Sequence, residues 1–228
     1  MKPATFDYHA PATTAEAVAL LQRYSGEAKV LAGGQSLLPL LNLRLSRPAA
    51  LIDLNRIGAL AGIREEGGQI MLGAMTRQRA IERSSLVKSR VGLLAAATGL
   101  VGHLPIRTRG TIGGSLAHAD PAAEYPAVVT ALDGELVVTG PAGTRTVSPD
   151  AFFVTYLTTS LAPDEILSEV RLPIPPAGSG WAFEEFSQRH GDFAIVGIAG
   201  LLVGEDGRCH RARLAATGVG PTPVRLRA

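Results

Sequence analysis

Apolar positions along this chain follow two rhythms, and the places where they change divide it into elements. Ala17, Leu20, Leu21 and Tyr24 fall on one helical face. Thr13-Thr14-Ala15-Glu16 ahead of them reads as a capping box that opens the helix. Lys29 to Ala32 is a short strand running into Gly33-Gly34, and Leu37 to Leu41 is a short helix that tolerates Pro39 in its first turn. Leu51 to Leu54 and Gln69 to Leu72 are further strands, helical segments are expected from about Thr76 to Thr98, and a helix from Ala122 to Leu132. Glu135–Val138 and Thr144–Val147 alternate like a hairpin around Gly140-Pro141-Ala142-Gly143, and Ser168–Leu172 is another strand.

Pro173 to Gly180 is the best linker in the chain. Beyond it only two strands are evident, Phe193–Val203 and Arg211–Gly218, and two strands alone bury little. The expected organisation is therefore a domain over residues 1–175 and an incomplete C-terminal module over 176–228, whose apolar strand needs cover from more chain or from neighbouring subunits. Helices and strands mix without regular alternation, which argues for an α+β fold over a doubly wound sheet.

Composition narrows the function. Hydrophobic residues make up 46% of 228 positions, enough for a sizeable core. Charged residues are 18% and the net charge is +2, with no basic run, so nucleic acid is not an expected partner. The N-terminus lacks the order of a signal peptide and no apolar run reaches the length of a membrane span, so a cytoplasmic protein is expected. The one cysteine, Cys209, can make no internal disulfide, and by itself it cannot hold an iron–sulfur cluster. The five histidines show no metal spacing.

The chemistry is concentrated in two glycine-rich loops, Leu31-Ala32-Gly33-Gly34-Gln35-Ser36 and Thr111-Ile112-Gly113-Gly114-Ser115. A diphosphate needs several donors close together, and backbone N–H groups supply them only where the chain can approach closely. A strand, two glycines, small polar residues and a helix start form such an arrangement. One Gly-Gly pair alone is more simply an ordinary turn; two similar loops can grip both ends of one diphosphate. Other signatures are absent or weak. There is no G-x-G-x-x-G and no Walker A sequence. Ser85-Leu86-Val87-Lys88 matches S-x-x-K without its partner motifs. His118 with Asp120 is a possible acid–base pair, though a hydrogen-bonded loop pair is the simpler account.

Val30 to Leu37 and Gly110 to Glu124 resemble the two FAD-binding signatures of the flavoprotein (medium) subunits of molybdenum hydroxylases, the carbon monoxide dehydrogenase and xanthine dehydrogenase family. Phe152-Phe153, Leu161 to Leu167 and Gln188 to Ala194 extend the resemblance, in order, over essentially the whole chain. It implies a two-lobed FAD domain of the vanillyl-alcohol-oxidase (PCMH) type followed by part of an α+β C-terminal domain. By the same resemblance Leu31 to Ser36 and Thr111 to Ser115 hold the diphosphate, Glu124 makes a polar contact where members commonly have Asp, Leu161 lies next to the flavin, and Phe193 covers one of its faces. The implied partners are a large molybdenum-cofactor subunit and a small [2Fe–2S] subunit. Three departures stand out: Ser115 replaces a frequent Asn, Glu185 stands where many members have Lys, and the chain ends near Arg225 where members continue. The expected function is passing electrons through FAD to an acceptor. A self-contained flavin reductase or oxidase, and a non-catalytic structural module, are the alternatives.

Overall fold

The computed structural model of the chain describes residues 2–205 and 208–227. The N-terminal lobe is built from β1 (Asp7–His9), α1 (Thr14–Arg23), β2 (Ala28–Leu31), α2 (Leu37–Asn42) and β3 (Ala50–Asp53). Its three strands are parallel in the order β1-β3-β2. The capping box is present: Glu16 N–H donates to Thr13 Oγ1 at 3.2 Å, and the Glu16 carboxylate accepts from Ala12 N–H at 2.9 Å, one residue further back than Thr13 itself. Ala17 and Leu21 of α1 bury against Ala28, Ala50 and Ile52 of the sheet.

The second lobe starts with β4 (Ile63–Glu66) and β5 (Gln69–Gly73) and continues through six helices: α3 (Gln78–Arg83), α4 (Ser85–Arg90), α5 (Gly92–Leu100), α6 (Leu104–Arg109), α7 (Ile112–His118) and α8 (Glu124–Ala131). It closes with β6 (Glu135–Gly140), β7 (Gly143–Val147), α9 (Pro149–Phe152), β8 (Phe153–Thr155), β9 (Thr158–Thr159) and β10 (Ile166–Pro173). β4, β5, β10, β6 and β7 form one antiparallel sheet in that order, and β8 and β9 make a separate hairpin. The helical segments expected from about Thr76 to Thr98 are three helices, α3 to α5. Ser84 turns extended and accepts from Val87 N–H at 3.2 Å as a new cap, and Val91 breaks the run again. The apolar period survives the breaks because all three pieces face the same core. Every residue of α8 is buried, in keeping with its apolar character on all sides.

The segment after the linker is more than the expected two-strand remnant. It is a four-stranded antiparallel meander of β11 (Gly180–Ser187), β12 (Ala194–Glu205), β13 (Arg208–Thr217) and β14 (Val224–Leu226). β11 was illegible because Glu184-Glu185 interrupts its apolar alternation, and β14 because three residues carry no period. Phe183, Ala199, Leu201 and Ala215 on the inner face join the main core. Trp181 seats its ring on Gly92 of α5, where any side chain would collide with it. The outer face carries Ile198 and Leu202, 42% and 47% exposed. Arg213 and Arg225 both reach Asp133 just past α8, and Arg225 also donates to the Thr130 carbonyl.

At the other end of α8, the buried Thr217 of β13 places its hydroxyl 2.6 Å from the Pro121 carbonyl oxygen and 2.7 Å from that of Ala123. Gly218 N–H donates to the same Pro121 oxygen at 2.8 Å. Thr217→Val keeps the shape but leaves the Ala123 carbonyl without this donor, so it should cost about 1–3 kcal/mol in urea unfolding. An unchanged midpoint would show that this joint is not what holds the sheet to α8.

Candidate functional site

The two glycine loops, about eighty residues apart in sequence, are in direct contact. A side-chain carbon on Gly33 would lie 2.4 Å from the Arg109 carbonyl oxygen and 2.7 Å from Gly110 Cα. One on Gly114 would lie 3.3 Å from Ala32 Cβ, and one on Gly113 only 2.4 Å from Ala74 Cβ. Glycine is required at Gly33 and Gly113 because backbone and a fixed methyl occupy the space. At Gly34 the requirement is conformational, since its φ is +74°.

The loops are not two copies of one device. In the second loop the amides are already used: Ile112 N–H donates to Thr76 O, Gly113 N–H to Ala74 O, Gly114 N–H to Thr111 Oγ1 and Ser115 N–H to Thr111 O. In the first loop the N–H groups of Gly34, Gln35 and Ser36 meet no protein acceptor among the described residues, and the Ser36 hydroxyl caps nothing. Gln35 turns its amide back to the Gly33 carbonyl at 3.1 Å, which stiffens the turn. The first loop thus offers donors. The second offers a close wall at Gly114 and hydroxyl side chains at its rim. This matches what a diphosphate demands of its surroundings.

A bridge that sequence reasoning missed fixes the spacing of the loops. Arg77 donates to the Arg109 carbonyl and, at 2.6 Å, to Asn55 Oδ1. Asn55 Nδ2 in turn donates to the Ala32 carbonyl at 2.9 Å, while Asp53 Oδ1 accepts from Asn55 N–H at 2.9 Å. Arg77 also pairs with Thr111 as an isolated antiparallel bridge. Its guanidinium pKa is lowered by burial and by neighbouring Arg109, and both positive charges stand beside the loops. Scattered single arginines look like solvated surface in a sequence, and the pairing with Asn55 depends on the fold. A cleft of about 410 Å³ borders this bridge, lined by Asn55, Met75, Thr76 and Arg77. A cleft of about 450 Å³ lies against the Pro173–Pro176 linker, away from both loops.

Glu124 lies beyond the other end of α7, a helix roughly 10 Å long, at the start of α8. The turn between α7 and α8 receives Leu157 of the β8–β9 hairpin, whose N–H donates to Ala119 O at 3.2 Å, Thr217 of β13 and Gly218 just after it. Leu161, just after β9, is half-buried against the main core. Phe193 precedes β12 and is 67% exposed. His118 and Asp120 do not pair with each other; Asp120 Oδ1 accepts from Ala122 N–H at 2.9 Å. Glu124 opens α8 and is only 6% exposed. Burial pushes its carboxyl up to about 7, helped by the nearby charges of Glu185 and Asp120 and opposed by a backbone hydrogen bond. Glu185 is also raised, by burial, and its Oε2 has no hydrogen-bond partner.

Comparison with known proteins adds independent findings. Residues 4–175 match the family described as FAD binding domain in molybdopterin dehydrogenase, and residues 181–228 match the CO dehydrogenase flavoprotein C-terminal domain. The chain is 44% identical to the caffeine dehydrogenase subunit beta of Pseudomonas sp. (strain CBB1), covering 100% of this chain and 78% of that one. It is 43% identical to the carbon monoxide dehydrogenase medium chain of Hydrogenophaga pseudoflava, over 99% and 78% of the two chains. Among solved structures, carbon monoxide dehydrogenase from the same organism superposes with a TM-score of 0.97 at 44% identity, over 99% of this chain and 78% of that one. Quinoline 2-oxidoreductase from Pseudomonas putida 86 follows with 0.94 at 37% identity, over 99% and 78%. The α+β, PCMH-type fold expected from the sequence is therefore the fold observed.

Two outcomes follow from this geometry. Gly34→Val forces a branched side chain into a left-handed φ and against Leu38, within 3.0 Å of its Cδ1, and so turns the free amides away. FAD retention, read as the flavin-to-protein absorbance ratio after gel filtration, should fall to background; full occupancy would mean that the diphosphate is held elsewhere. The second outcome is a pH effect. Glu124 has a folded-state pKa raised from 4.5 to about 7, so its stabilising contribution is complete below pH 4.5 and is lost as pH rises through about 7. The loss amounts to roughly 3 kcal/mol in the flavin-free chain. Glu124→Gln should remove that slope from a series of urea midpoints taken across this range. Parallel pH profiles for the two proteins would show that Glu124 is not the titrating group.

Proposed function

The chain belongs to the flavoprotein subunits of the molybdenum hydroxylases, and from that premise we propose that it seats one non-covalent FAD across α7, with the diphosphate at the two glycine loops and the isoalloxazine toward Glu124. The observation that carries this reading is the contact between the loops, with unmet amides on one side and a glycine wall on the other. Gly33, Gly34, Gln35 and Ser36, with Leu31 and Ala32 before them, form the donor side. Thr111, Ile112, Gly113, Gly114 and Ser115 form the wall. Arg77 and Arg109 supply positive charge, and the Arg77–Asn55 bridge keeps the loops at one spacing. Leu161 and Phe193 contribute apolar surface to the flavin ring, and Glu124 a polar contact.

The flavin, when bound, supplies the redox chemistry, exchanging electrons in ones or twos. The residues around it bind, orient and shield it. None of them needs to act as a general acid or base on a substrate. The role is electron transfer from iron–sulfur clusters of a small partner subunit to an external acceptor, with substrate hydroxylation on a large molybdenum-cofactor subunit. The single cysteine agrees with clusters being held elsewhere. The relatives are named as subunits and chains of dehydrogenases, which supports an assembly of this kind. No helix among the described residues is long and apolar enough to cross a membrane, and a cytoplasmic complex is the setting we propose.

Acid precipitation of the purified protein should leave a yellow supernatant that runs as FAD in chromatography, and purification from the native host should bring down one molybdenum-containing chain and one iron–sulfur chain. The isolated protein should reduce artificial dyes slowly and hydroxylate nothing. Colour retained in the pellet, an FMN peak, or unaided oxidation of a purine, an aldehyde or carbon monoxide would overturn the reading.

A further inference from the structure

Three strands of the C-terminal sheet place one row of residues over the start of α8. Glu185 of β11 pairs with Gly197 of β12, and Gly197 pairs with Thr217 of β13, so the three share a face. Gly197 leaves the middle of the row bare. A side-chain carbon there would lie 2.9 Å from Thr217 Cγ2 and 3.4 Å from Glu185 Cβ, so those two side chains close over the glycine. Thr217 is itself bonded to the carbonyl of Ala123, the residue before Glu124. The row therefore brings the Glu185 carboxyl beside the first turn of α8. Glu124 is buried there, and Glu185 Oε2 is buried and without a partner among the described residues.

Outward from Glu185 the series continues. His190 lies in the turn after β11, five residues along the chain from Glu185, and its influence on Glu185 opposes that of burial. Its ring stands edge-on to His103 with centroids 6.3 Å apart, and His103 packs so closely on Gly191 that a side-chain carbon there would lie 2.2 Å from Cε1. Both histidines are exposed. Asp120 is the other charge acting on Glu124. Two neighbouring carboxyls with little water hold one proton between them far more readily than none, because two like charges cannot both be solvated there.

We propose that Glu124, Glu185 and His190 form a proton relay between solvent and the bound flavin. This rests on the reading of the chain as an FAD subunit. Two-electron reduction of the flavin adds one proton to a ring nitrogen. An O–H bond of the carboxyl pair breaks as that N–H bond forms. Both carboxylates are then ionised in a site with little water, and their repulsion draws a replacement proton from solvent through His190. The electrons come from an iron–sulfur donor in the complex and are replaced in the test below by a dye that carries no protons.

The test uses FAD-loaded wild type, Glu185→Gln and His190→Gln, with the FAD content of each measured by acid release. Each is mixed rapidly with reduced methyl viologen in weakly buffered solution, and flavin bleaching and proton uptake (by an indicator dye) are followed together. In wild type the uptake should keep pace with bleaching. In Glu185→Gln, the uptake per bound FAD should lag by at least about tenfold, and a small diffusible weak acid should restore it. His190→Gln, altered on an exposed turn, should show a smaller lag and carries the test if Glu185→Gln does not fold. A second readout needs no flavin: the infrared band of a protonated carboxyl should persist to about pH 7 in the wild-type apoprotein and weaken in Glu185→Gln and Glu124→Gln. Wild-type uptake rates in both loaded variants would overturn the relay while leaving the FAD reading intact. A wild-type chain that holds no FAD would overturn the reading itself.

Discussion

The structure depends on one close approach: the chain at Gly33 lying against the carbonyl of Arg109 and the Cα of Gly110, at distances no side chain could survive. The two segments belong to different lobes, one leaving a parallel sheet and the other ending a run of helices. Their contact sets where α2 and α7 begin and therefore where the free amides of the first loop point. Steric necessity alone would let the loops slide past each other. The Asn55–Arg77 bridge prevents this by holding Ala32 O at one end and Arg109 O at the other. Glycine permits the approach and the bridge fixes it, and a cofactor that spans both loops needs both conditions.

The difference between the loops has a physical origin. The second loop is wedged under β5, where Ala74 and Thr76 offer carbonyls, so its amides are satisfied before any ligand arrives. Buried amides left open would cost the flavin-free chain stability. The first loop is buried at Gly34 but half-buried at Gly33, Gln35 and Ser36, and there it can leave amides to water. Specialisation follows from burial: the more deeply buried loop becomes the wall and the less buried one the donor.

What the sequence made legible follows the same logic. Gly33-Gly34 and Gly113-Gly114 announced themselves because close backbone approach has a residue signature. The capping box at Thr13, the strands at β2, β3 and β5 and the buried helix α8 were readable because their signals are local. The bridge was not: Asn55 and Arg77 are ordinary residues whose meaning arises only when two lobes meet. The helical segments between Gln78 and Leu100 were legible from their apolar period, but the breaks at Ser84 and Val91 were not, because three short helices facing one core preserve the period of a single long one. β11 was missed because Glu184-Glu185 looks like solvated chain, and Glu185 in fact turns inward. Resemblance to a family, carried on the loops and the Gln188–Ala194 segment, reached further than periodicity did. The fold it implied was the fold found, whereas the four-stranded meander had to be seen.

That inward carboxyl changes the status of the C-terminal sheet. Judged by its outer face, with Ile198 and Leu202 half in water, the sheet is an appendage to the lobe that carries the loops. Judged by its inner face, it covers the first turn of α8. Thr217 ties down the carbonyl before Glu124, Gly197 leaves the space, and Glu185 enters it. Burial is the largest cause of the raised Glu124 pKa, and the sheet adds to it the charge of Glu185. The same lack of water that makes a lone carboxylate costly lets the pair keep a proton near neutrality. Stability and chemistry at this point are therefore set by one variable, the closeness with which β11 to β13 press on α8. A change that loosens the joint at Thr217 would lower stability and return Glu124 toward an ordinary carboxylate in a single step.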